Sequence, residues 1–320
     1  MAAFKDYTPA GVIPAAILAF DEDFGIDEAE TRRHLSFVAA TEGISAVTVN
    51  GHSSEIHACF FDEQRSILDA AMDEIGDAVP LINGVYADGS HEAAKIAKMA
   101  EAGGASALLC FPPHSMGMGG IRHRPEMALA HFKTIADATD LPLIVFQYGD
   151  ELAYSLDTLV QLAEEVPSIK AVKDWSPPQA HARHIQVLQN LPRPVNILST
   201  NSSWLLSSLV MGANGLLSGA GSVIADMQVA LFRAVQSDDL ATAREVAGRM
   251  WHATEAFYAD PFGDMHNRMK EALVHLGRQD RAVVRPPLVK LPDAEIARIG
   301  EAMTSAGLTR EGFELRQAAE

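Results

Sequence analysis

Two cysteines in 320 residues, Cys59 and Cys110, are too few for a disulfide framework or a multi-cysteine metal site, and they read as two reduced buried thiols. Basic residues are scarce too: 25 Lys and Arg stand against 42 Asp and Glu, a net charge of −17. A surface that acidic repels phosphate backbones and anionic headgroups, which excludes nucleic acid and a membrane surface as partners. No uninterrupted apolar run reaches the roughly 18 residues of a membrane span. The first residues, MAAFKDYTPAGVIPAAILAF, lack the basic n-region of a secretion signal. A soluble cytoplasmic protein is expected. Glycine is missing where a nucleotide would need it. The segment AFDEDFGID after the first apolar run carries one glycine and four acids, so neither a dinucleotide fingerprint nor a P-loop is present. No cofactor and no metal ion is expected.

What is present is an ordinary globular composition, 48% hydrophobic and 21% charged, which can bury a sizeable core. The length alone suits either two domains or one α/β barrel with an appendage. Short apolar runs decide between them. They fall at 12–18, 46–49, 81–85, 107–111, 143–146, 171–173, 195–198 and 215–217, each followed by a longer stretch with helical spacing. Runs so short and continuous suit strands buried on both faces, as parallel strands are. The intervening segments carry helix punctuation. Ser90 is a plausible N-cap before a stripe of Ala93, Ile96, Ala97 and Ala100 that stops at Gly103-Gly104. Ser155 precedes LDTLVQLAEEV, and Pro125 opens the helix before the fifth run. Eight strand–helix units without an intervening linker predict an α/β fold, a (β/α)8 TIM barrel, with the catalytic domain over 1–235. The remainder, 236–320, has no strand-like run and reads as a helical region. Its helices are expected around 238–259, 264–277, 292–306 and 309–318.

In such a barrel the chemistry sits at the C-terminal ends of the strands. The polar strand ends are NGHSSE at 50–55, FPPH at 111–114, FQY at 146–148, KDW at 173–175 and STNSS at 199–203. Of the eight lysines, only Lys170 and Lys173 fall on a strand. Alternation places Lys173 with Ala171 on one face and Lys170 with Val172 on the other. An amine in an apolar barrel mouth is desolvated, which lowers its pKa and makes it a nucleophile able to form a Schiff base with a carbonyl carbon. From the residues alone, a lysine paired with Asp174 or snorkelling at the strand end is the competing reading. His181 and His184 have a spacing that metals use, but helix surface is the expectation for them. Asp260, Asp264, His266 and Asn267 read as caps rather than ligands.

From Gly11 onward the chain resembles the dihydrodipicolinate synthase / N-acetylneuraminate lyase family of class I aldolases and dehydratases. Gly51-His52-Ser53-Ser54-Glu55 stands where the family has G-T-T-G-E or G-S-T-G-E. The segment from Leu141-Pro142 to Gly149 stands at L-P-x-x-x-Y-N-x-P, and Ile169-Lys170-Ala171-Val172-Lys173-Asp174 resembles the I-x-G-x-K-E/D strand. A weaker match covers 211–219 and brings in Leu217 on strand eight. The resemblance implies a lyase that attacks C2 of a pyruvate-type 2-oxo acid through Lys173, as an aldolase, hydratase-aldolase or dehydratase. It also implies a homo-oligomer, a dimer or tetramer. By the same carry-over, Gly51, Ser53 and Ser54 belong to the loop that binds the substrate carboxylate, and His52 replaces the loop's first hydroxyl residue. The family's relay tyrosine falls on Phe146, with no hydroxyl, and the pocket arginine has no counterpart. The acid/base work then passes to Tyr148, two residues on and on the same strand face, to His52, which titrates near neutrality, or to water. Phe146 and Trp175 would form an apolar wall, and His114 stands near an aromatic position on strand four. These departures point to a paralogue rather than the lysine-pathway synthase. The alternatives are that synthase itself, or a non-catalytic oxo-acid-binding sensor that kept the barrel.

Overall fold

The computed structural model describes residues 4, 6–118, 120–200 and 202–313. Eight short strands form one parallel sheet: β1 Gly11–Pro14, β2 Val47–Val49, β3 Leu81–Val85, β4 Ala107–Cys110, β5 Leu143–Gln147, β6 Ile169–Asp174, β7 Asn196–Ser199 and β8 Gly215–Ser218. They pair in the order β1-β8-β7-β6-β5-β4-β3-β2. Parallel bridges from Val12 to Ile44 and from Ala15 to Thr48 join β1 to β2 and close the ring. Closure leaves no exposed sheet edge. At the β1–β8 seam the backbones pass so close that a Cβ on Gly215, at φ +156°, would lie 2.1 Å from the Gly11 carbonyl oxygen. Only glycine fits there.

Strand alternation divides the core in two. Ile13, Ile82, Leu109, Ile144, Phe146, Ala171, Leu198 and Leu217 pack together inside the barrel. Val12, Leu108, Val145, Val172, Ile197 and Leu216 pack outward against the helices. Both faces are dry, so the strands read as unbroken apolar runs.

The helices of the barrel are α1 Glu28–Ala39, α2 Phe61–Ile75, α3 Ser90–Ala102, α4 Gly120–His123, α5 Pro125–Ala136, α6 Leu156–Glu165, α7 Pro178–Leu188, α8 Leu205–Val210 and α9 Gly221–Gln236. Ser155 caps α6 by accepting from the Thr158 N–H at 3.1 Å, and Pro125 opens α5. Ser90 is not a cap. It is already helical, with Gly89 before it, and its hydroxyl lies 3.0 Å from His131 Nδ1. Three C-terminal helices follow as expected: α10 Leu240–Phe257, α11 Met265–His275 and α12 Asp293–Ala306. The helix expected over 309–318 is not borne out in its described part. Gly307 and Gly312 take positive φ, and Leu308 bridges Phe313 across a turn. Residues 314–320 lie outside the described residues.

The C-terminal helices are tied to the barrel mouth by buried charge. Lys270 of α11 donates to Glu55 in the loop after β2 and, at 2.7 Å, to the Val283 carbonyl. The other Glu55 oxygen accepts from the Arg285 N–H at 3.0 Å. Arg268, fully buried, donates to Glu295 and to the carbonyls of Ala259, Asp260 and Pro261. A buried ion pair costs desolvation but becomes very costly to break once formed, so these contacts fix the 258–265 segment over the strand ends.

Candidate active site

β6 places Lys173 opposite Phe146 on β5 and Leu198 on β7, all three in the inward-facing layer. Lys173 is 4% exposed, and no carboxylate among the described residues lies within ion-pairing distance of it. Its Nζ sits 3.9 Å from the centroid of the Phe146 ring. Burial without a counter-charge pushes its pKa down from 10.5 to about 7. A large fraction of the amine is therefore neutral at physiological pH, which is the form that attacks carbonyls.

Asp174 is not its partner. One residue on, it points outward and is fully buried, where its carboxylate accepts from His181 Nδ1 at 2.8 Å, His184 Nδ1 at 2.7 Å and the Ser176 N–H at 2.9 Å. Burial opposes its ionisation, but the two histidine hydrogen bonds together outweigh it and hold the carboxyl well below its ordinary range. This corrects the reading of His181 and His184 as helix surface. Both are buried on the inner face of α7, and their three-residue spacing serves one carboxylate. Among the described residues no group of His, Cys, Asp and Glu is arranged to hold a metal ion.

Lys173 opens into a cavity of about 200 Å³ lined by His52, Ser53, Phe146, Trp175, Thr200, Ser202, Ser203, Gly219, Tyr258, Phe262 and Met265. Five of the residues expected from sequence thus meet: Lys173, His52, Ser53, Phe146 and Trp175. The loop holding Ser53 is shaped by two residues in left-handed conformation, Asn50 at φ +52° and Glu55 at φ +53°. Asn50 is held by hydrogen bonds to Asn83 and to the Gln64 carbonyl, Glu55 by Lys270 and Arg285. Ser54, standing where the resemblance has glycine, does not take positive φ, so its side chain is tolerated. Its hydroxyl donates to the Ala16 carbonyl at 2.7 Å, and that of Ser53 to the Ala15 carbonyl at 2.8 Å.

The other expected residues stand outside the cavity's described lining. Gly51 opens the His52–Ser54 turn against Ala15 and Thr48, and Leu217 is in the barrel interior. Tyr148 and His114 belong to an aromatic cluster with Tyr86 and Phe111, ring centroids 4.9–6.5 Å apart, and Tyr148 joins it to the cavity wall through Phe146 at 4.3 Å and Trp175 at 5.5 Å. The Tyr148 hydroxyl is buried without a hydrogen-bond partner among the described residues. His52 does not behave as a near-neutral titrating group. Burial, then the neighbouring His266 and Lys173, hold its pKa well below 6.5, so it is a neutral imidazole with its ring 4.8 Å from that of His266. His266 is itself buried, so within the C-terminal polar group it packs against the loop after β2.

Residues that sequence reading missed come from two places. Ser202 and Ser203 lie in STNSS, which was singled out but given no role. Tyr258, Phe262 and Met265 come from the C-terminal region, where no strand-end rule points to them. The Phe262 ring stacks on Trp175 at 4.8 Å and on Tyr258 at 5.6 Å, bridging β6 to the C-terminal segment.

A closed parallel (β/α)8 barrel holds, at the mouth of strand six, a buried lysine without a counter-ion among the described residues, an arrangement suited to Schiff-base chemistry. Comparison narrows this further. Residues 8–306 match the dihydrodipicolinate synthetase family, and the chain belongs to it. That family is one of pyruvate-dependent lyases. The chain is 31% identical over 255 residues to 4-hydroxy-tetrahydrodipicolinate synthase of Salinibacter ruber, covering 78% of this chain and 81% of the relative. It is 27% identical over 301 residues to the enzyme of that name from Neisseria meningitidis serogroup B, covering 93% and 98%. In fold it is similar to a prophage protein of the family from E. coli K12 solved in complex with pyruvate (TM-score 0.85, 20% identity, 93% of this chain and 98% of that one). It is likewise similar to dihydrodipicolinate synthase from Aquifex aeolicus (TM-score 0.82, 23% identity, 93% and 98%). No helix among the described residues is long and apolar enough to cross a membrane.

Proposed function

We propose that the protein is a 2-oxo-acid lyase whose Lys173 forms the Schiff base, acting as an aldolase, hydratase-aldolase or dehydratase. The observation that carries this reading is a lysine 4% exposed, without a counter-ion among the described residues, at the mouth of a barrel cavity. Neutral Nζ attacks C2, water leaves, and the iminium draws electrons from a C–C or C–H bond at C3; the enamine so formed can add to a carbonyl or expel a hydroxyl from C4 as water once that hydroxyl is protonated. The substrate carboxylate lies against Ser53. There the backbone N–H groups opening the His52–Ser54 turn have no acceptor within the turn, and the Ser53 hydroxyl can swing from the Ala15 carbonyl. His52, held neutral, donates a hydrogen bond rather than supplying a charge.

The cavity also bears on the second substrate. Its described lining contains no arginine and no carboxylate; Lys173, His52 and Tyr258 are its ionisable groups. A second anionic group on the carbonyl partner would be buried without a counter-charge, at high cost. The partner is therefore uncharged at its far end, which argues against the condensation for which the relatives are named. The division into a barrel over 1–235 and a helical region over 236–320 belongs to this reading. So do a cytoplasmic setting, supported by the free thiols of Cys59 and Cys110, and assembly as a dimer or tetramer, supported by an exposed Met118 beside the strand-four loop.

The test is a panel of neutral and carboxylate-bearing aldol adducts of pyruvate, together with 3-deoxy-2-oxo sugar acids, assayed for released pyruvate and for loss of water. Turnover of neutral adducts by the wild type, absent in Lys173→Ala, is expected. Exclusive turnover of a doubly anionic adduct would overturn the neutral-partner reading.

A further inference from the structure

Phe146, paired with Lys173 across β5 and β6, has no hydroxyl to move protons, and the phenol in the cavity's described lining is Tyr258. Tyr258 closes α10 and lines the Lys173 cavity. Its hydroxyl oxygen accepts from the Ala220 N–H at 3.2 Å, just past β8. The hydroxyls of Ser218 and Ser202, which lie 2.9 Å from each other, are its nearby polar neighbours and favour its ionised form. Its ring is clamped by stacking on Phe262, which stacks in turn on Trp175 beside the lysine. Tyr148 offers a contrast. Its hydroxyl has no hydrogen-bond partner among the described residues, and its ring, with its centroid 4.3 Å from that of Phe146 and 5.5 Å from that of Trp175, is not itself part of the cavity's described lining.

We propose that Tyr258, backed by Ser202, Ser218 and the Ala220 N–H, is the residue that exchanges protons with the substrate bound at Lys173. The inference rests on the Schiff-base reading of that lysine. When Nζ adds to C2, the carbinolamine C–O bond breaks and its hydroxyl leaves as water, taking the Tyr258 proton. A phenolate then faces an iminium, and the pair is neutral overall. The phenolate removes a proton from C3, the C–H electrons forming the enamine C=C while the C=N pair returns to nitrogen, and Tyr258 is restored. On attack of the enamine on a carbonyl, the new alkoxide takes the same proton. Hydrolysis of the iminium returns a proton from water to the phenolate. No external acid, oxidant or metal enters the balance. The surrounding donors suit this role, because an N–H and two hydroxyls can stabilise a transient phenolate. Burial raises the resting Tyr258 pKa, so the proton is held until a cation forms in the same cavity.

Hydrogen–deuterium exchange at C3 of pyruvate in D2O reads this step without the unknown second substrate. With wild type, Tyr258→Phe, Tyr148→Phe and Ser202→Ala at equal folded concentration, exchange is expected to fall on the order of 100-fold or more in Tyr258→Phe. A smaller loss is expected in Ser202→Ala. Borohydride trapping of pyruvate by Tyr258→Phe should still reach completion, more slowly, showing that the variant folds and keeps its lysine. Wild-type exchange in a trapping-competent Tyr258→Phe, or a larger loss in Tyr148→Phe, overturns this assignment while leaving Lys173 in place. Failure of the wild type itself to trap pyruvate overturns the Schiff-base reading, and this inference with it.

Discussion

Lys173 and Asp174 are neighbours on one strand, both buried, and the protein treats their charges in opposite ways. Asp174 faces the helix layer and receives three hydrogen bonds. Lys173 faces the barrel interior and receives the flat face of Phe146. Burial penalises both ions. On the outer face that penalty is overcome by histidines from α7, and the carboxylate stays ionised; on the inner face no counter-charge among the described residues balances it, and the amine is driven toward neutrality. The pleat of a strand is enough to separate a charge that holds structure from a group kept reactive.

The largest expected effect comes from deleting the reactive partner. Lys173→Ala should lose turnover by on the order of 10⁴-fold or more while its thermal transition stays near or above that of the wild type. Next is Asp174→Asn, which should remain chemically competent where folded but destabilise the chain by about 3–5 kcal/mol in denaturant melts, because two buried histidines lose their carboxylate. Since the Asp174 carboxyl is held below its ordinary 3.8, its contribution is complete above that pH and is lost on acidification below it. The third concerns pH. A lysine lowered to about 7 must lose its proton to attack, so kcat/KM should rise with pH and level off above a pKa near 7. Thr200→Glu, which brings a carboxylate into the cavity, should move that limb upward by about 1–2 units. The smallest is Arg65→Ala, which removes an ion pair to Asp69 with both side chains about half exposed. It should change stability by no more than about 0.5 kcal/mol. A large loss there would mean that exposure does not govern the contrast.

Much of this was legible in the sequence. The eight apolar runs locate all eight strands, with shifts of one to a few residues at their ends, because strands buried on both faces leave no periodic polar position to confuse them. Lys173 was legible because alternation alone separates it from Lys170. The family's loop and strand motifs led to Ser53, His52 and Phe146. The partners of Asp174 were hidden, because two histidines seven and ten residues away reach it only once α7 folds back on β6. Tyr258 and Phe262 were hidden for a related reason: they arrive from the C-terminal segment, and the Glu55–Lys270 contact that ties this region to the barrel mouth joins residues 215 apart in sequence. His52 misled in its chemistry rather than its position, since a loop histidine gives no sign in sequence that burial will suppress its charge.

The central claim is that Lys173 is the covalent nucleophile. Incubation with pyruvate and borohydride, followed by intact mass and peptide mapping, tests it most directly. One reduced pyruvyl adduct per chain, confined to the peptide carrying Lys173 and absent in Lys173→Ala, is the expected result. An unmodified chain, or an adduct on any other lysine, would contradict it.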